Sequence, residues 1–503
     1  MIKNQLKAGA LLSYLVLITG NIIGLLYTPF MLRMLGQSQY GLYSLANNVV
    51  GYLTVLDFGF GNATIRYTAK FIAEGSQEKI ESLHGTFLFL YGIIGSFVFL
   101  ASILLSFFSG IIFSKGLTAQ EIETIRILFI LSGLNIAISF PFGIFGSIIT
   151  AYERFVFLRV FAFIRLLVNP LVFVPVLLFG YKSIGLIIAT TILNFLFFII
   201  NCWYCFSKLK IKIPLKKPDF SILKEIFKYS FWVFLASIVT KLWWNSGQFL
   251  LGIFSTTVAI AIYSLAIQFK FYYESFAVAI SGVFLPKLTA MNTAHVTDKE
   301  MTSIFIKVGR LQYIILSLIF TGFFLFGKTF IILWAGNDYI NTYYITLMLF
   351  LPLALIDTQT IGITILQAKN KHAFRSIVYL GIAVICCTLS IPLIKKYGAF
   401  GCAIGTSSAL IIGNIFIMNW YYYRKAGLNI FRFWLELLKM TPGILLPTFL
   451  MWFMLKNYAI PNFINLFIFI CLYTLIYFLS MYFLSFNKYE KKLIYFWRRN
   501  QEA

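Results

Sequence analysis

From Ser82 to Ser114 the chain carries no Asp, Glu, Lys or Arg. Wound as a helix, such a run is roughly 50 Å long at ~1.5 Å per residue. That is more than the ~30 Å of hydrocarbon in a bilayer, which takes ~20 apolar residues to cross. Counting this one, predominantly apolar stretches long enough to cross number fourteen, over 9–32, 40–61, 84–113, 126–150, 155–179, 184–206, 229–253, 258–284, 308–333, 343–366, 375–394, 399–422, 436–455 and 462–485. Only 12% of residues are charged, 60% are hydrophobic and mean hydropathy is +0.87, where soluble domains hold roughly 25% charged residues. A water-soluble fold would leave large apolar patches uncovered. The expected fold class is therefore an all-α polytopic membrane protein with about 14 transmembrane helices.

The formal net charge of +24 would suggest a nucleic-acid partner in a soluble protein. In a membrane chain, Lys and Arg mark cytoplasmic loops, and nucleic acid is not expected. With the N-terminus placed in the cytoplasm, thirty of the 41 Lys and Arg fall in cytoplasmic segments. Eight fall in outer segments, and Arg165, Lys241 and Lys270 lie inside spans. A missed or extra helix would invert this bias downstream, and it never inverts. Both termini are predicted cytoplasmic. The apolar run after Lys3 and Lys7 is longer than a signal-peptide core, so a retained first span is expected.

The longest polar stretch, Ser207–Lys228, carries Pro214 and Pro218. It predicts a division into a six-helix lobe (1–206), a basic cytoplasmic linker (207–228), a second six-helix lobe (229–423), and two further helices with a basic tail (424–503). The linker's charge reads as topology signal resting against anionic lipid headgroups. Tyr43-Ser44-Leu45-Ala46 recurs as Tyr263-Ser264-Leu265-Ala266, early in the second helix of each lobe. Six helices per lobe return the second copy in the same orientation, as in a parallel repeat.

No phosphate-binding G-x-x-x-x-G-K-[ST] motif occurs, and the G-x-G of Gly59 and Gly61 has no third glycine. Outer loops are too short for a large external catalytic loop. Cys202 and Cys205 form a lone C-x-x-C, while His84, His295 and His372 lie elsewhere, so neither zinc nor redox chemistry is expected. No cofactor and no enzyme activity are predicted.

Ionisable side chains at bilayer depth cost several kcal/mol and usually face a cavity or a partner. Arg165, Lys241, Lys270, Glu274 and Asp357 sit near helix midpoints, and Asp57 lies nearer the cytoplasmic end of its helix. Ser237, Lys241, Asn245 and Gln248 form one polar stripe. Tyr263, Lys270, Glu274 and Ser281 share a face, as do Arg165 and Asn169, Asp357, Thr360 and Thr364, and Asn135, Ser139 and Gly146. Such groups can serve as interhelical glue, with Lys270 and Glu274 neutralising each other. Lys241, in mid-stripe, reads as cavity lining. Arg165, Lys241, Asn245, Lys270 and Glu274 are the expected substrate-binding set, and Glu274 and Asp357 the candidates for ion coupling.

The segment Leu56-Asp57-Phe58-Gly59-Phe60-Gly61-Asn62-Ala63-Thr64-Ile65-Arg66, continuing to Gly75, resembles the end of the second helix of bacterial polysaccharide transporters. These are the Wzx-like O-antigen and capsule repeat-unit flippases. Leu35-Gly36-x-x-x-Tyr40-Gly41-x-Tyr43 resembles their first loop. Asp57, Gly59, Asn62 and Arg66 carry the likeness, which is clear at residue level over the first 75 positions. It implies the multidrug/oligosaccharidyl-lipid/polysaccharide exporter fold, with two pseudo-symmetric six-helix lobes around a central cationic cavity. It also implies alternating access, moving undecaprenyl-diphosphate-linked oligosaccharide from the inner to the outer leaflet of the bacterial cytoplasmic membrane. A polysaccharide polymerase and other assembly proteins are the implied partners, beside membrane lipids. A multidrug or cation antiporter of the same fold would want an acidic or aromatic cavity. A membrane-embedded glycosyl transferase or polymerase would want a carboxylate cluster at one interface.

Overall fold

The computed structural model describes residues 2–213, 234, 238, 241, 245–293, 297–369, 373–458 and 460–492. Most of the linker (from 214), Ser237 and much of the seventh expected span lie outside the described residues. Those described are overwhelmingly helical, with no strand among them. Eleven stretches among them are long and apolar enough to cross a membrane. One, Leu12–Ala73, has 62 residues, or about 90 Å of helix at ~1.5 Å per residue, enough for two crossings.

That long stretch shows why the segment has the glycines it has. Helix α1 (Ile2–Gly51) is interrupted at Gly36, whose φ of 70° and ψ of 171° are not helical. A tight turn of 3₁₀ helix follows (Tyr52–Asp57), then Phe58 (φ 51°) and Gly59 (φ 74°), both left-handed, and only then α2 (Phe60–Ala73). Two consecutive left-handed residues break the i→i−4 ladder, and the Phe58 N–H bonds to Val55 O instead. Glycine pays little for this conformation, whereas Phe58 is strained by it. The sequence predicts one span over 40–61; the chain instead stops and restarts inside it, at the residues that carry the family likeness.

The described helices fall into two compact units. The first is Met1–Ala261 with Ile394–Gly398, and the second is Ile262–Leu393 with Ala399–Ala503. In the first, α2, α3 (Gln77–Ile112), α4 (Ala119–Ala151), α5 (Phe155–Leu178) and α6 (Lys182–Ser207) pack around Phe60, Tyr67, Leu83, Phe87, Ile144 and Ile148, and α1 packs against α4, α5 and α6. At one end, Glu121 closes a capping box with Thr118. Its other oxygen accepts from the hydroxyls of Ser38 (2.6 Å) and Thr257 (2.7 Å). One carboxylate thereby pins three elements.

The second unit holds most of α7 (Thr257–Thr293) together with α8 (Asp298–Ala335), α9 (Asn341–Ile356) and α10 (Thr360–Ala368). It continues through α11 (Ala373–Tyr397) and α12 (Ala399–Arg424) to α13 (Ile430–Leu438), α14 (Thr441–Asn457) and α15 (Phe463–Leu484). Residues Ile411–Met418 of α12 are π-helical. The last helix docks on α8 through hydroxyls: Tyr477 reaches Ser317 (2.7 Å) and donates to Ile314 O (2.8 Å), and Tyr473 reaches Thr321 (2.6 Å). The expected thirteenth span of 436–455 begins later, at Thr441. Met440 closes a turn to Leu437 O, and a separate nine-residue helix, α13, precedes it.

Candidate functional site

Each unit carries a cluster with ionisable side chains inside its spans, and the two are built differently. In the first, Arg165 on α5 donates to the side-chain oxygen of Asn194 on α6. Asn194 in turn donates to Asn135 on α4, at 2.9 Å. The guanidinium lies 5.6 Å from the centroid of the Phe197 ring, a cation–π distance. It forms no ion pair with a carboxylate among the described residues. Sequence reading singled out Arg165 and Asn135 separately. Asn194, which joins them, is signalled only as an amide within the apolar run of α6.

Lys241 and Asn245 are helical and half-buried. Gln248, further along their stripe, is buried and accepts from Asn48 of α1, so that end of the stripe is packing. Asp57 accepts from the Tyr91 hydroxyl at 2.7 Å and sits at the α1–α2 break. Asn62 and Arg66 are exposed on α2.

In the second unit, Lys270 and Glu274 of α7 form an ion pair at 2.7 Å, one turn apart as their i, i+4 spacing allows. The Lys270 side chain is fully buried, and that of Glu274 is 24% exposed. Asp357, buried at the end of α9, interacts electrostatically with both. It occupies a 3₁₀ turn (Asp357–Gln359) between α9 and α10, where the Thr360 hydroxyl bonds its carbonyl at 2.6 Å. The structure therefore brings Lys270, Glu274 and Asp357 into one group: two carboxylates and one ammonium. Beside it, Gln359 donates to Asn419 of α12 at 2.7 Å, a pairing that the separate runs do not announce.

A third ionic centre went unread in the sequence because its Arg looks like loop charge. Arg310 of α8 is 2% exposed. It grips Glu490 with two nitrogens (2.6 and 2.8 Å), and donates to the carbonyls of Glu436 (2.8 Å) and Ser485 (2.9 Å). The segment after the last span is thereby tied to the rest of the second unit. The described residues hold no cluster of His, Cys, Asp and Glu that suits a metal ion.

Comparison with known proteins bears on what these clusters serve. Residues 6–292 match the family model described as polysaccharide biosynthesis protein. A Shigella flexneri protein named "Putative O-antigen transporter" is 22% identical over 410 residues, covering 79% of this chain and 93% of that one. Among solved structures, the lipid II flippase MurJ in an inward closed conformation superposes with a TM-score of 0.74 at 18% identity. That match covers 96% of this chain and all of MurJ. An inward-facing multidrug resistance MATE family transporter of the MOP superfamily gives 0.63 at 15% identity, covering 80% of this chain and 94% of its own. At such identities the structures speak for the fold alone.

Proposed function

The chain belongs to the polysaccharide biosynthesis protein family, and from that premise we propose that it is a flippase. Its cargo on this reading is an undecaprenyl-diphosphate-linked oligosaccharide repeat unit, carried from the inner to the outer leaflet of the bacterial cytoplasmic membrane. Both termini lie in the cytoplasm, and the protein is a carrier, not an enzyme. The observation that carries the proposal is Arg165, a cation in a spanning helix held by the Asn194 amide and a ring instead of a carboxylate. An uncompensated positive charge at that depth is costly, and an anionic cargo would compensate it. A diphosphate does so, and its outward passage runs with an inside-negative potential worth ~2.3 kcal/mol per charge per 100 mV.

Lys241 and Asn245 add a second charge and an amide to the cargo's path. Lys acts as a point charge on phosphate without a fixed bidentate grip, which suits a group that must be let go. Lys270 is the conditional cation: Glu274 holds it in this conformation, and it turns to the cargo phosphate when that pair opens. Glu274 and Asp357 are then the groups through which an ion would couple to the cycle.

The test is deletion and complementation. Loss of the protein removes a surface polysaccharide and leaves its lipid-linked repeat on the inner leaflet. Arg165→Lys restores part of the export and Arg165→Gln almost none, at equal protein in the membrane. Complete repeats at the outer face without polymer would make the protein a polymerase. Unchanged polysaccharide with lost drug resistance would make it a drug antiporter.

A further inference from the structure

We propose that a groove between the start of α8, the turn after α12 and the short helix α13 binds the phosphate headgroup of an anionic phospholipid. Helix α13 has nine residues, too few to span by itself, and lies between α12 and α14, set off from α14 by the turn at Lys439–Met440. Its inner face buries Ile430, Phe433 and Leu437, and the Phe433 ring meets Phe305 of α8 at 4.5 Å between centroids. Its outer face presents Phe431 (73% exposed), Leu435 and Leu438 (65%). Arg432, Glu436 and Lys439 occupy a third sector, where Glu436 pairs with Lys439, and exposed Arg432 is left, among the described residues, as the unpaired cation of that edge. A helix with one apolar face on protein, a second facing outward and a basic edge lies in the membrane interface. That fixes the basic edge at headgroup depth.

The groove beside that edge encloses about 570 Å³ and is lined by Lys299, Thr302, Arg424, Asn429 and Arg432, with Asp298. The Asp298 carboxylate is already taken, by Lys369 Nζ at 2.6 Å. The charge left to the groove is cationic, and Lys299, Arg424 and Arg432 form no ion pair among the described residues. Its frame is fixed. Lys369 also donates to Ala426 O (2.8 Å), the Asn429 N–H donates to Thr302 (3.3 Å), and the Asn429 side chain accepts from the Arg432 N–H (2.9 Å). Gly427 turns with φ 73° against Asp298, where a Cβ would collide with the carboxylate. A second, apolar hollow of about 240 Å³ lies along α13, lined by Leu355, Phe431, Trp434, Leu435 and Leu438. A phosphate beside three cations with an apolar trough along the same helix is the outline of a phospholipid and not of a free anion.

The full chain, purified into nanodiscs of phosphatidylcholine carrying increasing phosphatidylglycerol, tests this by native mass spectrometry of retained lipid. Each basic side chain near a membrane surface contributes about fivefold to anionic-lipid affinity. The Arg424→Gln, Arg432→Gln double variant should therefore lose phosphatidylglycerol preference by roughly twenty- to thirtyfold. Arg424→Lys, Arg432→Lys should keep most of it and serves as the folding control. Inorganic phosphate should not displace the lipid. The proposal is overturned if the double Gln variant retains phosphatidylglycerol as the parent does. It is equally overturned if inorganic phosphate competes, which makes the groove a soluble-phosphate site. An equal loss from Lys488→Gln, Lys492→Gln, elsewhere on the same end, would reduce the effect to general surface charge.

Discussion

Replacing Lys270 by Met should destabilise the protein more than replacing Glu274 by Gln, and the imbalance follows from the charge count. The Lys270 side chain is fully buried and, among the described residues, is the one cation facing Glu274 and Asp357. Removing it leaves two carboxylates without a counter-charge. Breaking a buried pair in this way costs about 3–5 kcal/mol. Glu274→Gln removes one acid and leaves Lys270 facing Asp357, one charge against one. The loss is then a charge-assisted hydrogen bond, about 1.5–3 kcal/mol. The difference of about 2 kcal/mol corresponds to ~4–8 °C in unfolding midpoint for a unit of this size. Fluorescence-detected size-exclusion chromatography after graded heating reads it, together with the amount of protein in the membrane. Adding Glu274→Gln and Asp357→Asn to Lys270→Met removes every stranded charge and should restore the folded amount. Equal destabilisation by Lys270→Met and Glu274→Gln would refute the two-to-one arrangement. The triple variant also separates structure from transport: folded but unable to export, it places the Lys270–Glu274–Asp357 group in the transport cycle, whereas normal export removes the group from it.

Two further outcomes are expected. Arg310→Leu and Glu490→Gln should each lower the thermal midpoint, the first by about 3–5 kcal/mol of stability. Arg310→Leu, Glu490→Leu should recover only part, because the Glu436 and Ser485 carbonyls lose their donor as well; full recovery in the heating assay would contradict this. Reporter fusions at Lys217 and after Arg499 should both report cytoplasm, and an outside signal at either would overturn the charge-based topology.

Periodicity and apolar length made most of the helices legible, because lipid leaves the backbone few alternatives to helix. The breaks within helices were less legible. Nothing in a hydropathy profile separates Tyr52–Asp57 from the helix before it. The signal is in the glycines at 36 and 59, whose left-handed torsions appear only once the backbone is traced. Lys270 with Glu274 was readable from an i, i+4 spacing. Asp357 joined them from another helix, a tertiary fact that no spacing encodes. The same holds for Asn194 under Arg165. Arg310 shows the reverse error. A residue at the very start of the expected span 308–333 was counted as loop charge, yet its partner Glu490 follows the last span, 180 positions away.

Arg165 and Lys270, the two intramembrane cations whose partners have been described, divide a carrier's task on the proposed reading. Arg165 is held by the neutral Asn194 amide, so its charge stays available to an anion. That supplies attraction but cannot by itself drive release, since a ligand shifts a conformational equilibrium only through differential affinity for its states. Lys270 can supply the difference. Leaving Glu274 for the cargo's phosphate exchanges one ion pair for another, so the step is near balance and runs both ways. Glu274, partly exposed where Lys270 is not, then becomes the free carboxylate that can take a proton or another cation. The ammonium returns to Glu274 once that ion leaves, and the phosphate loses that contact. Arg165 and Lys270 are thus not interchangeable: lysine at 165 should weaken export in proportion to lost affinity, whereas arginine at 270, gripping Glu274 with two nitrogens, should slow turnover while leaving cargo binding nearly intact.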